Sequence, residues 1–66
     1  MRIMEINIAK LERERQHLKL ERNQLAKAMG MHYQGLNYIY EKRRTKLETI
    51  QKMADFFGID PKDLLI

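Results

Sequence analysis

The sequence predicts an all-α domain of five short helices, and three observations carry that reading. The composition is rich in Leu, Lys, Glu, Arg, Met and Gln, residues that favour helix. Breakers are scarce, with one proline and three glycines in 66 residues, so each marks something. Apolar residues recur at three- and four-residue spacing, and strand-like alternation is weak.

Met4, Ile8, Leu11, Arg15 and Leu18 form one face of a first helix, with Arg15 as its polar interruption. Its start is open, because Met4, Ile6 and Ile8 also alternate with Glu5 and Asn7 as a strand would. A second helix spans about Arg22 to Met29, with Leu25, Ala26 and Met29 inward. Gly30 ends it, since glycine tolerates the left-handed conformation that closes helices, and Met31 supplies the apolar contact that follows. His32 opens a third helix through about Tyr40. Leu36 and Ile39 face inward beside Gly35, which is read as a packing glycine. Gln34, Asn37, Tyr38 and Glu41 face outward, and Tyr33 and Tyr40 lie at the boundary. A basic loop from Lys42 to Lys46 follows. Thr45 and Glu48 have capping-box spacing and start a fourth helix with Leu47, Ile50, Met53, Ala54 and Phe57 inward. Gly58 ends it. Asp60 and Pro61 then cap and open a fifth helix that runs to the end.

Length and composition limit the function. A chain of this size buries only about 60 % of its unfolded surface, so its stability margin is thin. The absence of cysteine excludes disulfides, Cys-based zinc sites and thiol catalysis. His17 and His32 are too few for a metal cage without carboxylates. No apolar run approaches the length of a membrane span or a signal-peptide core. Size and chemistry argue against an enzyme, no cofactor or small-molecule ligand is expected, and a cytoplasmic location is the default.

The net charge of +4 is unevenly placed. Residues 1–29 carry +3 and residues 30–46 carry +3, the latter from Lys42, Arg43, Arg44 and Lys46 against Glu41. Residues 47–66 carry −2, with Glu48, Asp55, Asp60 and Asp63 outweighing Lys52 and Lys62. This polarity suits one face turned toward a polyanion.

The informative element is a pair of short helices joined at Gly30, the second exposing polar and aromatic groups ahead of a basic segment. A helix about 10–12 Å across fits a DNA major groove about 12 Å wide. A second helix held across it presents it to the groove, and helix starts at Arg22 and His32 offer N–H groups to phosphates.

The stretch LKLERNQLAKAMGMHYQGLNYI, with Leu25, Ala26, Gly30, Met31 and Leu36 in place, resembles the Cro/repressor-type helix-turn-helix family, the XRE-like class of phage and bacterial regulators. LETIQKMADFFGIDPKDLL is similar to that family's closing two helices. The resemblance covers about Ile8 to Leu65 and implies a five-helix, lambda-repressor-like domain. Residues 1–66 are taken as a single helix-turn-helix domain, with the motif itself at about 21–40. It implies base contacts from Tyr33, Gln34 and Tyr38, with Asn37 adjacent, and Gln34 pairing bidentately with adenine. It implies a phosphate contact from Arg22, where the family usually has glutamine. Lys42, Arg43 and Arg44, beside the recognition helix, are the further phosphate candidates.

The chain departs from the family pattern at several positions. Glu21 and His32 stand where Ser or Thr usually starts the second and third helices. Arg15 matches a helix-one arginine and is read as a structural ion-pair residue. Its usual glutamate partner is replaced by Tyr40, with Glu41 one residue on. The segment before the fourth helix is one residue shorter than the common pattern.

The expected function is a nucleoid-associated, sequence-specific regulator, a repressor or Cro-like protein. It would bind double-stranded DNA as a homodimer on a palindromic operator and would have no membrane partner. The apolar tail Leu64-Leu65-Ile66 and the apolar start Met1 to Ile8 are the candidate dimer surfaces. The alternative is a helical protein-interaction module, antitoxin-like or adaptor, that keeps the fold without reading DNA. A membrane-surface helix fits poorly, because Glu12, Glu14 and Glu21 interrupt its basic face.

Overall fold

The computed structural model describes residues 3–66. In order it contains β1 (Ile3–Glu5), α1 (Ile8–His17), α2 (Arg22–Ala28), α3 (Tyr33–Lys42), β2 (Arg44–Lys46), α4 (Leu47–Phe57) and a 3-10 turn at Pro61–Leu64. The described residues thus form four α-helices and a two-stranded sheet, not five helices.

Local chemistry sets most boundaries. Asn7 caps α1, its side-chain oxygen accepting from the Lys10 N–H at 3.1 Å. Glu21 precedes α2, and the Gln24 side chain accepts from the Glu21 N–H at 2.8 Å, satisfying a donor at the helix start. At the other end of α2, Gly30 has φ of 70°. Gly30 and Met31 donate to the Lys27 and Ala26 carbonyls, at 3.0 and 2.9 Å. This paired closure satisfies carbonyls the helix leaves open and turns the chain sharply into α3. The same closure ends α1, where Lys19 and Leu20 donate to the Gln16 and Arg15 carbonyls. There the left-handed position is held by Lys19, at φ 56°, without glycine.

Five expectations change or are settled. The alternation at Met4–Ile8 resolves as a strand followed by a helix that begins at Ile8. The basic loop is β2, antiparallel to β1, with Ile3 opposite Lys46, Met4 opposite Thr45 and Glu5 opposite Arg44. Thr45 is therefore committed to the sheet, Lys46 takes the cap position of α4, and no side-chain cap bond forms there. The fifth helix is one 3-10 turn. Asp60 does cap it, accepting from the Lys62 N–H at 2.9 Å, but its bonds run three residues back, as from Asp63 to Asp60, and the chain turns extended at Leu65 to bridge Ile6. The third helix also runs two residues beyond Tyr40, to Lys42, and Arg43 leaves it with φ of 60°.

The core draws on every part of the fold. Ile6, Leu11, Leu25, Ala26, Met29, Leu36, Ile39, Ile50, Met53, Ala54 and Leu64 are buried. Leu47 and Phe57 are only partly buried, and Leu18, at the end of the first apolar stripe, is exposed. Ile6 reaches the core because β1 is held on both sides. Its N–H donates to the Arg43 carbonyl at 3.0 Å, and it bridges to Leu65 in the tail. Burial of Leu64 and Ile6 narrows the two apolar termini, leaving Ile3 and Ile66 as their exposed apolar residues among those described. Gly35 also departs from expectation. A Cβ there would meet only the Met31 Cε, at 3.6 Å, an ordinary contact, so no close helix approach requires glycine.

Candidate nucleic-acid interface

Burial of Leu36 and Ile39 fixes the rotation of α3 about its axis. At about 100° per residue, Tyr33, Asn37, Gln34 and Tyr38 then fan across an outward arc of about 140°. Tyr33, Gln34 and Tyr38 are exposed and Asn37 is partly so. All four predicted base-contact residues therefore share one face. Glu41 lies within the same arc and is exposed, which puts an acceptor among the donors of this surface.

Two hollows flank the helix. One is lined by Ile8, Arg22, Tyr33, Asn37, Tyr40, Glu41 and Arg43. The other, on the sheet side, is lined by Ile3, Met31, Gly35, Tyr38, Ile39, Arg44, Thr45, Lys46 and Thr49. The predicted phosphate residues thus divide, Arg22 and Arg43 to one side and Arg44 to the other. Lys42 and Gln34 line neither hollow. Lys42, Arg43 and Arg44 are exposed, and none joins an ion pair among the described residues.

Lys46 and Thr49 were not among the predicted site residues, yet they stand on the same wall as Arg44. Strand alternation was the available signal, because it puts Arg44 and Lys46 on one face of β2. In so short a strand that alternation spans only three residues and is indistinguishable from a loop.

Arg22 is not free in the way the other cations are. Its guanidinium carbon lies 3.9 Å from the centroid of the Tyr40 ring. Its Nε is 3.9 Å from Glu12 Oε1, and its side chain is 41 % exposed. Glu12 in turn accepts from Arg15 Nε at 3.0 Å and from Arg15 Nη2 at 2.8 Å. This is the structural ion pair expected of Arg15, but the partner is Glu12 on its own helix. Tyr40 and Glu41, the positions considered from sequence, do not supply it.

The cluster shifts three titrations. Hydrogen bonding to Arg15 holds the Glu12 carboxyl below the usual range, against a smaller opposing effect of burial. The same bond raises Arg15. Burial raises the Tyr40 hydroxyl, with the Glu12 charge adding to it. That hydroxyl is buried and has no hydrogen-bond partner of acceptable geometry, although both charged groups lie close by.

Two packed helices, a closed turn at Gly30 and an outward polar face flanked by cations make a helix-turn-helix domain. A family model described as helix-turn-helix matches residues 11–64. The chain belongs to this family, the Cro/C1-type, XRE-like helix-turn-helix domains, a DNA-binding and non-enzymatic class. Comparison with curated proteins and with solved structures returns no match. Among the described residues no helix is long and apolar enough to cross a membrane, and no group of three or more His, Asp or Glu is placed to hold a metal.

Proposed function

We propose that this protein is a sequence-specific transcription regulator that reads an operator through α3. The observation that carries the reading is the outward arc of Tyr33, Gln34, Asn37 and Tyr38 with cations in both flanking hollows. Gln34, near the centre of the arc, pairs with adenine, while Tyr33 and Tyr38 pack on thymine methyls or reach phosphate through their hydroxyls. Arg22 and Arg43 take phosphates on one side of the groove, and Lys42 and Arg44 take them on the other.

Residues 1–66 act as one such domain, and two copies bind a palindromic site with recognition helices about 34 Å apart. Ile3 and Ile66, exposed on neighbouring extended segments, supply apolar surface for the homodimer. Regulation is by occlusion or recruitment at a promoter in the nucleoid, with no catalysis, cofactor or small-molecule ligand.

Titration onto mixed-sequence duplex DNA at about 50 and 200 mM salt tests the reading. Affinity falling by orders of magnitude across that range is the expected result. A folded sample that does not bind at low salt would overturn it in favour of a protein-interaction module.

A further inference from the structure

We propose that Tyr40 is a positioning residue that holds the Arg22 guanidinium in place for a DNA phosphate, an inference that rests on the DNA-binding reading above. A free arginine at a helix start has several rotors and samples many directions, so ordering it on binding costs affinity. Arg22 is instead held on two sides before DNA arrives. Its guanidinium carbon lies over the Tyr40 ring, 3.9 Å from the centroid, and its Nε is 3.9 Å from Glu12 Oε1.

The arrangement leaves the Arg22 charge available. Glu12 accepts its close hydrogen bonds, 2.8 and 3.0 Å, from Arg15 and approaches Arg22 only at the longer distance. The Glu12 charge is therefore largely answered by Arg15, and Arg22 stays a cation in search of an anion. Arg22 stands on the wall of the hollow that also holds Tyr33, Asn37 and Arg43. A phosphate seated there is reached by two arginines beside the base-reading face.

The ring of Tyr40, not its hydroxyl, makes the contact. The hydroxyl is buried and makes no hydrogen bond of acceptable geometry, whereas Arg22 sits over the ring itself. Ring and cation attract through the ring's negative face, an interaction that survives replacement by phenylalanine.

The test is a double-mutant cycle on mixed-sequence duplex DNA at 50 mM salt. Tyr40→Leu is expected to weaken binding about three- to tenfold, and Tyr40→Phe, which keeps the ring, to restore it. In an Arg22→Ala background, Tyr40→Leu should cost nothing further. Unchanged binding by Tyr40→Leu, or an equal loss in both backgrounds, would overturn the positioning role. A second reading needs no variant to fold. In free wild-type protein, NMR should show the Arg22 side-chain protons shifted upfield by the ring, and an unshifted, averaged signal also overturns the proposal. Wild-type protein that fails to bind DNA at all would remove the functional reading itself, an outcome separable from failure of the Tyr40 variants alone.

Discussion

Glu12 and Arg15 form a two-point pair on α1, the carboxylate accepting from Nε at 3.0 Å and Nη2 at 2.8 Å. Both side chains are mostly shielded, 24 % and 16 % exposed. The Arg15 hydrogen bonds hold the Glu12 carboxyl below its ordinary value of 4.5. A lowered carboxylate contributes stability that is present above the unfolded value and is lost as pH falls through the folded one. Glu12→Gln should therefore lower stability at neutral pH by about 1 kcal/mol. The gap between variant and wild type should narrow as pH drops below 4.5. Chemical denaturation of both proteins across pH checks this. A gap that stays constant through the acid range would mean the pair is not the source.

The Tyr40 hydroxyl is the one buried side-chain polar atom without a partner among the described residues. A hydroxyl taken from water and left unbonded costs about 1–3 kcal/mol. Removing it while keeping the ring should be favourable, so Tyr40→Phe is expected to raise the Tm. A lower Tm would mean that the hydroxyl has a partner in solution, with Glu12 the nearest candidate acceptor.

The parts of this fold that sequence reveals are those set by neighbours in the chain. Gly30, with Leu25 and Ala26 before it and Leu36 after it, specifies the α2–turn–α3 unit, because both the closure and the helix faces are local. β1 and β2 are different. Each has three residues, and each exists only because the other, far off in the chain, pairs with it. That non-local pairing also overrode the Thr45–Glu48 capping pattern, whose first residue the sheet consumed. Within the candidate interface, the outward arc of α3 followed from helical periodicity. The Arg22–Tyr40 contact did not, because it joins two helices and depends on their packing. The Glu12–Arg15 pair has a readable signal in its three-residue spacing, although the resemblance points to a partner on α3.

Lys19 occupies a left-handed backbone position, φ 56°, at the closure of α1. A side chain there crowds the following carbonyl at a cost of roughly 1–2 kcal/mol, part of which glycine returns to the unfolded chain as entropy. Lys19→Gly should thus stabilise the protein by about 0.5–1 kcal/mol. Lys19 is exposed and makes no ion pair among the described residues, so little opposes the gain. A denaturation midpoint at or below the wild-type value would refute this account.

Gly35 sits inside α3 with room for a methyl group, the nearest atom to a Cβ being Met31 Cε at 3.6 Å. Alanine in a helix interior is favoured over glycine by about 0.8–1.0 kcal/mol. Gly35→Ala should raise stability by that order while filling a little of the sheet-side hollow. If DNA affinity falls in the stabilised variant, the nucleic-acid backbone comes close to that wall. If affinity holds, the nucleic-acid backbone does not come within contact of Gly35.

Gln34 and Arg44 separate reading from holding. Gln34 stands near the middle of the outward arc of α3, and Arg44 on the flanking wall beside Tyr38 and Lys46. A bidentate amide–adenine contact contributes about 1–3 kcal/mol of discrimination, whereas a phosphate contact contributes regardless of sequence. Gln34→Ala should therefore weaken binding to a selected operator and relax preference at one base pair, with little change on random duplex. Arg44→Ala should weaken both DNAs alike and make the slope of log affinity against log salt shallower by about 0.9. Affinity measured for each variant on both duplexes across a salt series decides the matter. Equal losses on operator and random DNA for Gln34→Ala would place Gln34 on the backbone and leave Asn37 and the tyrosines to read sequence.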